Sequence, residues 1–583
     1  GEFVKYIIFL VFPPLVFAHF FPFTDFLEQF LTATLISIGV GTLLFAKSKR
    51  IVVPKLFLFW VMLGSLWLFV GALSDYARSS SWLWYLIVWV IGGAVFLIGG
   101  KLKETIGSER SSNLVAYSLL LTASLQVIIG LIQYYGVLEL LFPWANYGSS
   151  RLSGTLGQPN LTAFSIAIGV ASALYVFLNS EISRFSLCLI LASFIFTIFL
   201  TGSRASAIYL FILLSMLGVN FFFGKKSKRP KIIFSIIALV GIVTVSYFSV
   251  PVVDRNVINI LSQWGIGKEL DDQRGQDRFS DFSSNERFCE WNKSFNTLLS
   301  GQASFSGEGL GSYARYSFKM DLQNAQKCKS KNMWDNPHNI LISAFIEWGV
   351  FGFLFILGFI AYLFIFFFKL RKSSVWFFSS SIISMFFIYS MLEYPLWNLY
   401  FLTVFIFIIT ITDDFIVYNF SSRIFSFFIG VAFLLSFSMV SYNSVLSYTK
   451  ITSIFNSKDV GSSEKTDLYS LGSNSLYGGA AIIVRYFRFL PEPYQISEQI
   501  AEARNVASWQ PHPLVITRLA LLSSMSSIHD ACSYVWLLEE KYPRFVAVLN
   551  SDIELAKENG FSFFQSIDEC PKRELKREEF FNL

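Results

Sequence analysis

About thirteen stretches of roughly 18–22 apolar residues, centred near residues 13, 37, 64, 91, 124, 169, 192, 214, 241, 360, 383, 404 and 434, limit what this chain can fold into. Each is long enough to cross a hydrocarbon layer about 30 Å thick. A backbone in lipid must satisfy its own hydrogen bonds, which makes such stretches helical. Composition agrees: 54% of the 583 residues are hydrophobic, 65 are Phe and 15% are charged, with mean hydropathy +0.54. No water-soluble domain of this size keeps that balance. The expected fold is all-α and polytopic: nine spans over 1–250, a polar segment over 251–337, four spans over 338–446 and a polar tail over 447–583. The chain begins at Gly1, as a trimmed terminus would. The first apolar run (residues 4–21) lacks the basic start and small-residue cleavage site of a secretory signal, so it is expected to stay as a span.

Orientation follows from basic residues in short loops. The loops after even-numbered spans carry 17 Lys and Arg, whereas the opposite short loops carry Arg78, Arg151 and Arg204 alone. This places the N-terminus in the cytoplasm and, with an odd span count, the large loop and the tail outside. The net charge of +6 then faces anionic lipid and calls for no nucleic-acid partner.

Five polar turns share the outer face: "SSRLSGTLGQPNLTAF" (149–164), "TGSRASA" (201–207), "SSNERFCEWNKSF" (283–295), "NPHN" (336–339) and "MLEYPLWNLYFL" (391–402). Each has a structural explanation by itself. Arg204 can snorkel to the interface, Gly-Gln-Pro-Asn is turn chemistry, and Tyr and Trp belt the membrane edge. Together they offer chemistry. Asn336 is a good N-cap and Pro337 suits the first helical position, so His338 is expected in the first turn of a helix. A neutral imidazole there can take a proton as a general base. Arg287 falls on an expected amphipathic helix with Phe288, Trp291, Phe295, Leu298 and Leu299 at helical spacing. Planar guanidinium groups grip phosphate through two bonds, so a base with Arg204 and Arg287 beside a membrane points to a phosphorylated lipid. No zinc or Mg²⁺ ligand pattern occurs in the outward loops. "GEGLGS" (307–312) follows no strand and opens no βαβ unit, so it is not a nucleotide loop.

In this order, "RLSGTLGQPN", "TGSRAS", "NERFCEW", "GEGLGSY", "NPHNILISAFIEWGVFG" and "EYPLW" resemble the O-antigen ligase superfamily. "GQPN" with "EYPLW" and the polar extension is most similar to its O-linked oligosaccharyltransferases of the PglL/PilO type, which glycosylate type IV pilins. The resemblance implies a GT-C-like, metal-independent glycosyltransferase without a cofactor. It implies transfer of a preassembled glycan from undecaprenyl pyrophosphate to an acceptor hydroxyl at the periplasmic face of the bacterial inner membrane. Carried over by motif, His338 is the catalytic base, and Arg204 and Arg287 bind the pyrophosphate, with Arg151 as a further contact to the same anion. Gln158, Asn160 and Tyr394 line the donor or acceptor pocket. Glu393 holds an arginine, orients the imidazole or forms an ion pair at the aromatic belt. The implied partners are the lipid-linked oligosaccharide, a pilin-like acceptor and membrane lipids.

Other readings share the residues. A ligase acting on lipid A core sugars uses the same donor and the same His-Arg core, and a glycan polymerase of the Wzy type belongs to the same superfamily. A transporter places ionisable groups near mid-membrane, where these spans hold almost none. The tail contains "PYQISEQIAEARNVA" and "DACSYVWLLEEKYP", whose spacing predicts paired helices in a lid or an acceptor platform. An oxidising compartment permits the pairs Cys289–Cys328 and Cys532–Cys570, and Cys188 is expected buried in a span.

Overall fold

The computed structural model describes residues 4–16, 19–20, 22–45, 50–73, 79–137, 151–179, 182–266, 286–299, 305–323, 332–371, 373, 375–419, 423–474, 476–559 and 570. Through the first half run α1 (Val4–Val11), α2 (Phe26–Phe45), β1 (Arg50–Pro54), α3 (Phe57–Leu73), α4 (Ser79–Ile106), α5 (Ser108–Tyr134), α6 (Pro159–Leu178), α7 (Arg184–Leu200), α8 (Ala205–Phe223) and α9 (Arg229–Gln263). Then follow α10 (Glu286–Leu299), α11 (Tyr313–Gln323), α12 (Ile340–Lys369), α13 (Trp376–Ser390), α14 (Leu399–Thr412), β2 (Phe415–Asn419) and α15 (Arg423–Asn456). The tail forms α16 (Ser462–Asn474), α17 (Gly478–Arg488), α18 (Ile496–Ala507), α19 (Pro513–Ser524), α20 (Ile528–Lys541) and α21 (Val546–Glu558).

The chain is an all-α polytopic membrane protein. Among the described residues, 8 helices are long and apolar enough to cross a membrane: α2, α4, α5, α6, α8, α9, α12 and α15. Four shorter apolar helices, α3, α7, α13 and α14, stand at further expected positions. The run read as the first span divides into α1 and a 3-10 turn, Pro13–Leu15, because consecutive prolines cannot continue an α-helix. Pro251, where the sequence reading starts the large loop, instead lies inside α9, which continues to Gln263.

Two compact units make up the chain: Gly1–Met62, Ile87–Ser284 and Gly358–Met439 form one, and Leu63–Leu86, Asn285–Leu357 and Val440–Leu583 the other. The first is organised on α6, buried from Leu161 to Leu178, so helices rather than lipid must cover it on every side. Phe164 meets the rings of Tyr209, Phe386, Tyr389 and Phe401 at 4.5–5.3 Å between centroids. Gly169 lets α6 approach α5, since a Cβ there would fall 2.2 Å from that of Ala123. At one end of this unit β1 pairs antiparallel with β2, a small sheet that helical periodicity could not announce. Lys55 pairs with Asp414 at 3.1 Å, and Lys103 donates to the Asp413 carbonyl. These are loops after spans 2, 4 and 12, which the charge bias assigns to one face.

In the second unit, the tail helices share an apolar core that includes Ile516, Leu519, Leu537 and Leu538, against which Phe318 and Leu322 of α11 also pack. The loop from residue 286 onwards and the tail therefore belong to one body. α10 is amphipathic, as its spacing implies: Phe288, Phe295 and Leu299 are exposed on one face, while Glu290, Lys293, Ser294 and Thr297 are buried. Paired charges explain the buried polar face. Lys293 lies 2.5 Å from Glu290 and 2.5 Å from Asp321, and Asp321 also binds Lys541. Tyr313 (3.2 Å) and Ser317 (2.7 Å) donate to Glu290, so the buried charges are both neutralised and hydrogen-bonded. α12 breaks at Gly349, φ +70°, where Val350 N–H donates to the Phe305 carbonyl at 3.2 Å. A Cβ on Gly349 would sit 2.2 Å from that carbonyl oxygen, so the glycines of "GEGLGS" and "EWGVFG" serve close backbone contact.

Candidate active site

Three of the five polar turns meet in the first unit. Leu152 N–H donates to the Leu200 carbonyl at 3.1 Å, which joins "RLSGTLGQPN" to "TGSRAS" through the backbone. Arg151 strengthens the joint: its Nε donates to Thr201 O at 2.7 Å and its Nη2 to Asn160 Oδ1 at 3.2 Å. Asn160 in turn donates from Nδ2 to Glu393 Oε1 at 2.9 Å, reaching the third turn. An amide can relay in this way because it offers an acceptor on one side and a donor on the other. Glu393 is buried, and Tyr394 is 42% exposed just before the 3-10 turn Pro395–Trp397. α14 starts beside this turn and ends at Asp413, so the cluster and the β1–β2 sheet lie at opposite ends of a helix about 21 Å long.

Gln158 occupies the position preceding α6 with an extended backbone, φ −132°, and its side chain makes no capping bond there; Pro159 takes the first helical place. Arg204 is exposed immediately before α8, in the turn whose Thr201 receives Arg151. A supporting residue that motif reading passed over is His19. Its ring nitrogens face Thr24 O at 2.6 Å and Thr155 O at 2.7 Å. Gly157, φ +67°, gives this ring room, since a Cβ would fall 3.1 Å from it. The only sequence signal was a lone histidine beside an apolar run.

Arg287 and His338 belong to the second unit. The helix start differs from the expected one. α12 begins at Ile340, and its cap is Asn339, whose Oδ1 accepts the N–H groups of Leu341 (3.1 Å) and Ile342 (3.2 Å). Asn336 instead accepts the His338 N–H at 2.8 Å, closing an Asx turn, and His338 lies outside the helix with φ +54°. Both asparagines can cap; the second, which directly adjoins the apolar run, is the one that does. The His338 ring is partly exposed and meets the edge of Trp334, 5.1 Å between centroids. Trp291 Nε1 donates to Pro337 O at 2.7 Å. Trp291 follows Arg287 by one helical turn, so α10 brings the Arg287 helix and the His338 turn together.

A second residue without an assigned part in the sequence reading is Glu347, buried two turns into α12. Its Oε2 accepts the Tyr85 hydroxyl at 2.7 Å and the Gly311 N–H at 3.2 Å, which holds the "GEGLGS" loop on the broken helix. Its sequence signal was a carboxylate inside an otherwise apolar span. Cys532 and Cys570 form a disulfide, and Cys289 is disulfide-bonded; Cys328, its expected partner, lies outside the described residues. Cys188 is a free thiol, partly buried. Among the described residues no three His, Cys, Asp or Glu side chains gather as a metal cage requires.

The family described as O-antigen ligase matches residues 187–357, a stretch containing Arg204, Arg287 and His338. The C-terminal part of the virulence factor membrane-bound polymerases matches residues 378–531, which contain Glu393 and Tyr394. No curated protein and no solved structure matches the chain. Arg151, Gln158 and Asn160 precede both matches, yet hydrogen bonds tie Arg151 and Asn160 to turns within them. Two consecutive matches that together contain four of the five polar turns and most of the later helices identify the chain as a glycan-transferring membrane protein of the O-antigen ligase and polymerase superfamily.

Proposed function

We propose that the chain is an O-oligosaccharyltransferase that moves a preassembled glycan from undecaprenyl pyrophosphate to a Ser or Thr hydroxyl of a periplasmic protein such as a type IV pilin. The acceptor oxygen forms a bond to the anomeric carbon as the bond from that carbon to the pyrophosphate oxygen breaks. The hydroxyl proton passes to His338, and the charge left on the pyrophosphate falls on Arg204 and Arg287, with Arg151 as a further cation. A single displacement of this kind inverts the anomeric centre. Gln158, Asn160 and Tyr394 line the substrate pocket, and Glu393 holds the Arg151–Asn160 relay in place. The observation that carries the reading is that one ligase-family match, residues 187–357, contains the base and both principal cations.

The site lies at the periplasmic face of the bacterial inner membrane, with the N-terminus in the cytoplasm. The disulfide chemistry of Cys289 and of Cys532–Cys570 supports an oxidising compartment for the loop and the tail. A second reading, transfer to lipid A core sugars, is favoured by the description of the matched family. Co-expression with a lipid-linked glycan pathway, a pilin and a rough lipopolysaccharide separates the two. Glycan on the pilin is expected; glycan on lipopolysaccharide alone would establish the second reading instead.

A further inference from the structure

In the C-terminal helical domain a shallow, solvent-open cleft lies among α16, α17, α18 and α19. Three cations and two carboxylates line it. Lys465 pairs with Glu492, and Arg485 pairs with Glu502 at 2.7 Å while its guanidinium covers the Tyr469 ring at 3.8 Å. The surplus positive charge falls on Arg518. Its side chain is 6% exposed and donates from Nη2 to the Tyr486 carbonyl at 3.2 Å and to that of Phe489. Among the described residues no carboxylate comes within ion-pair distance of it; Asp552 acts on it through space alone. Burial draws this guanidinium down to about 10, the mark of a desolvated cation short of counter-charge, a state that an entering anion relieves.

We propose that this cleft binds a side-chain carboxylate of an extended acidic polypeptide segment, with Arg518 as the anchoring cation. The identification of that segment with the acceptor protein rests on the transferase reading above. Two carboxylates on flexible arms, Glu492 and Glu502, already sit on the neighbouring cations, so an entering Asp or Glu repeats a geometry the cleft accommodates. A uronic acid carries its carboxyl directly on the ring and would have to bring the whole ring to a group so little exposed. Tyr469 and Tyr494, 43% and 59% exposed, offer aromatic surface beside the mouth for flanking residues.

The test uses the full chain in detergent and a rhodamine-labelled peptide of alternating Glu and Ser, with its Gln-for-Glu counterpart, galacturonate and inorganic phosphate as comparison probes. The Glu peptide is expected to bind and to weaken about tenfold in Arg518→Gln. It is expected to tighten severalfold in Glu502→Gln, which releases Arg485, with thermal unfolding of the variant measured beside it to show that the domain is folded. Equal binding of the Gln peptide, unchanged affinity in both variants, or competition by galacturonate or phosphate as strong as by the Glu peptide would overturn the proposal. Binding is read without turnover. Glycan transfer that persists without peptide binding removes only the cleft, whereas peptide binding without transfer removes the transferase reading.

Discussion

Arg151 joins two turns and reaches a third through Asn160, and its geometry depends on the planar fork of a guanidinium. Lysine would keep the charge and lose the paired directions, Nε to Thr201 O and Nη2 to Asn160 Oδ1. Arg151→Lys is therefore expected to lower kcat/KM for glycan transfer about tenfold, the equivalent of roughly one charged hydrogen bond. Wild-type rates in this variant would reduce the relay to a packing contact. His512 carries a pH dependence of its own. It precedes α19, and its Nδ1 accepts the Leu514 N–H at 3.2 Å, a role open only to the neutral ring. Burial holds its pKa down, from 6.5 to about 4. The unfolded chain binds the proton more readily, so stability is full above pH 6.5 and falls as the pH drops towards 4, by about 1–2 kcal/mol at pH 5 given the partly open ring. Hydrogen exchange over 513–524 should show this loss, and His512→Asn, a cap that does not titrate, should flatten it.

Among elements, α12 shows best how local chemistry sets a larger shape. Its break at Gly349 exists because the backbone of residues 305–309 docks against it: Glu308 N–H reaches Ile346 O at 2.8 Å and Gly309 N–H reaches Glu347 O at 3.2 Å. Gly349→Ala forces a Cβ onto the Phe305 carbonyl in a left-handed conformation, and is expected to cost about 1–3 kcal/mol and to release the docked loop to faster hydrogen exchange. Exchange unchanged over 305–312 would show that the contact tolerates the methyl group. The positions of most spans were legible because apolar runs leave few alternatives in lipid, whereas their lengths were not: the first divides at Pro13 and the ninth continues to Gln263. The spacing of α10 was legible too, yet its buried face was not, because the partners of Glu290 and Lys293 lie at Asp321 and Lys541, far along the chain. The helix start near His338 was read too early, at Asn336, because a second asparagine, Asn339, can cap equally well, and a positive φ at a non-glycine residue leaves no mark in sequence. The meeting of Arg151, Asn160 and Glu393 was expected as a convergence of turns, but motif spacing cannot supply the order of the relay. His19 and Glu347 stood out only as polar residues in apolar surroundings.

At the scale of the molecule, residues 286–323 and the tail act as one body through the Glu290–Lys293–Asp321–Lys541 cluster, and the Cys532–Cys570 bond ties the tail to itself. Burial holds the Lys541 ammonium below its ordinary range, opposed by the charge of Asp321. Lys541→Met leaves Asp321 short of a partner and is expected to destabilise this unit by about 3–5 kcal/mol. The disulfide closes a loop with a sequence separation of 38, and Cys532→Ser is expected to cost about 3–4 kcal/mol. Thermal unfolding of the full chain checks both. The central claim, that His338 takes the acceptor proton while arginines hold a lipid pyrophosphate, has one direct measurement. Purified protein is given an undecaprenyl-pyrophosphate glycan and an acceptor, and glycan transfer is followed together with release of the lipid pyrophosphate. The account predicts transfer coupled to release in the wild type and a loss of about a hundredfold or more in His338→Ala. Undiminished transfer by His338→Ala, with the variant folded and donor-bound, would contradict it.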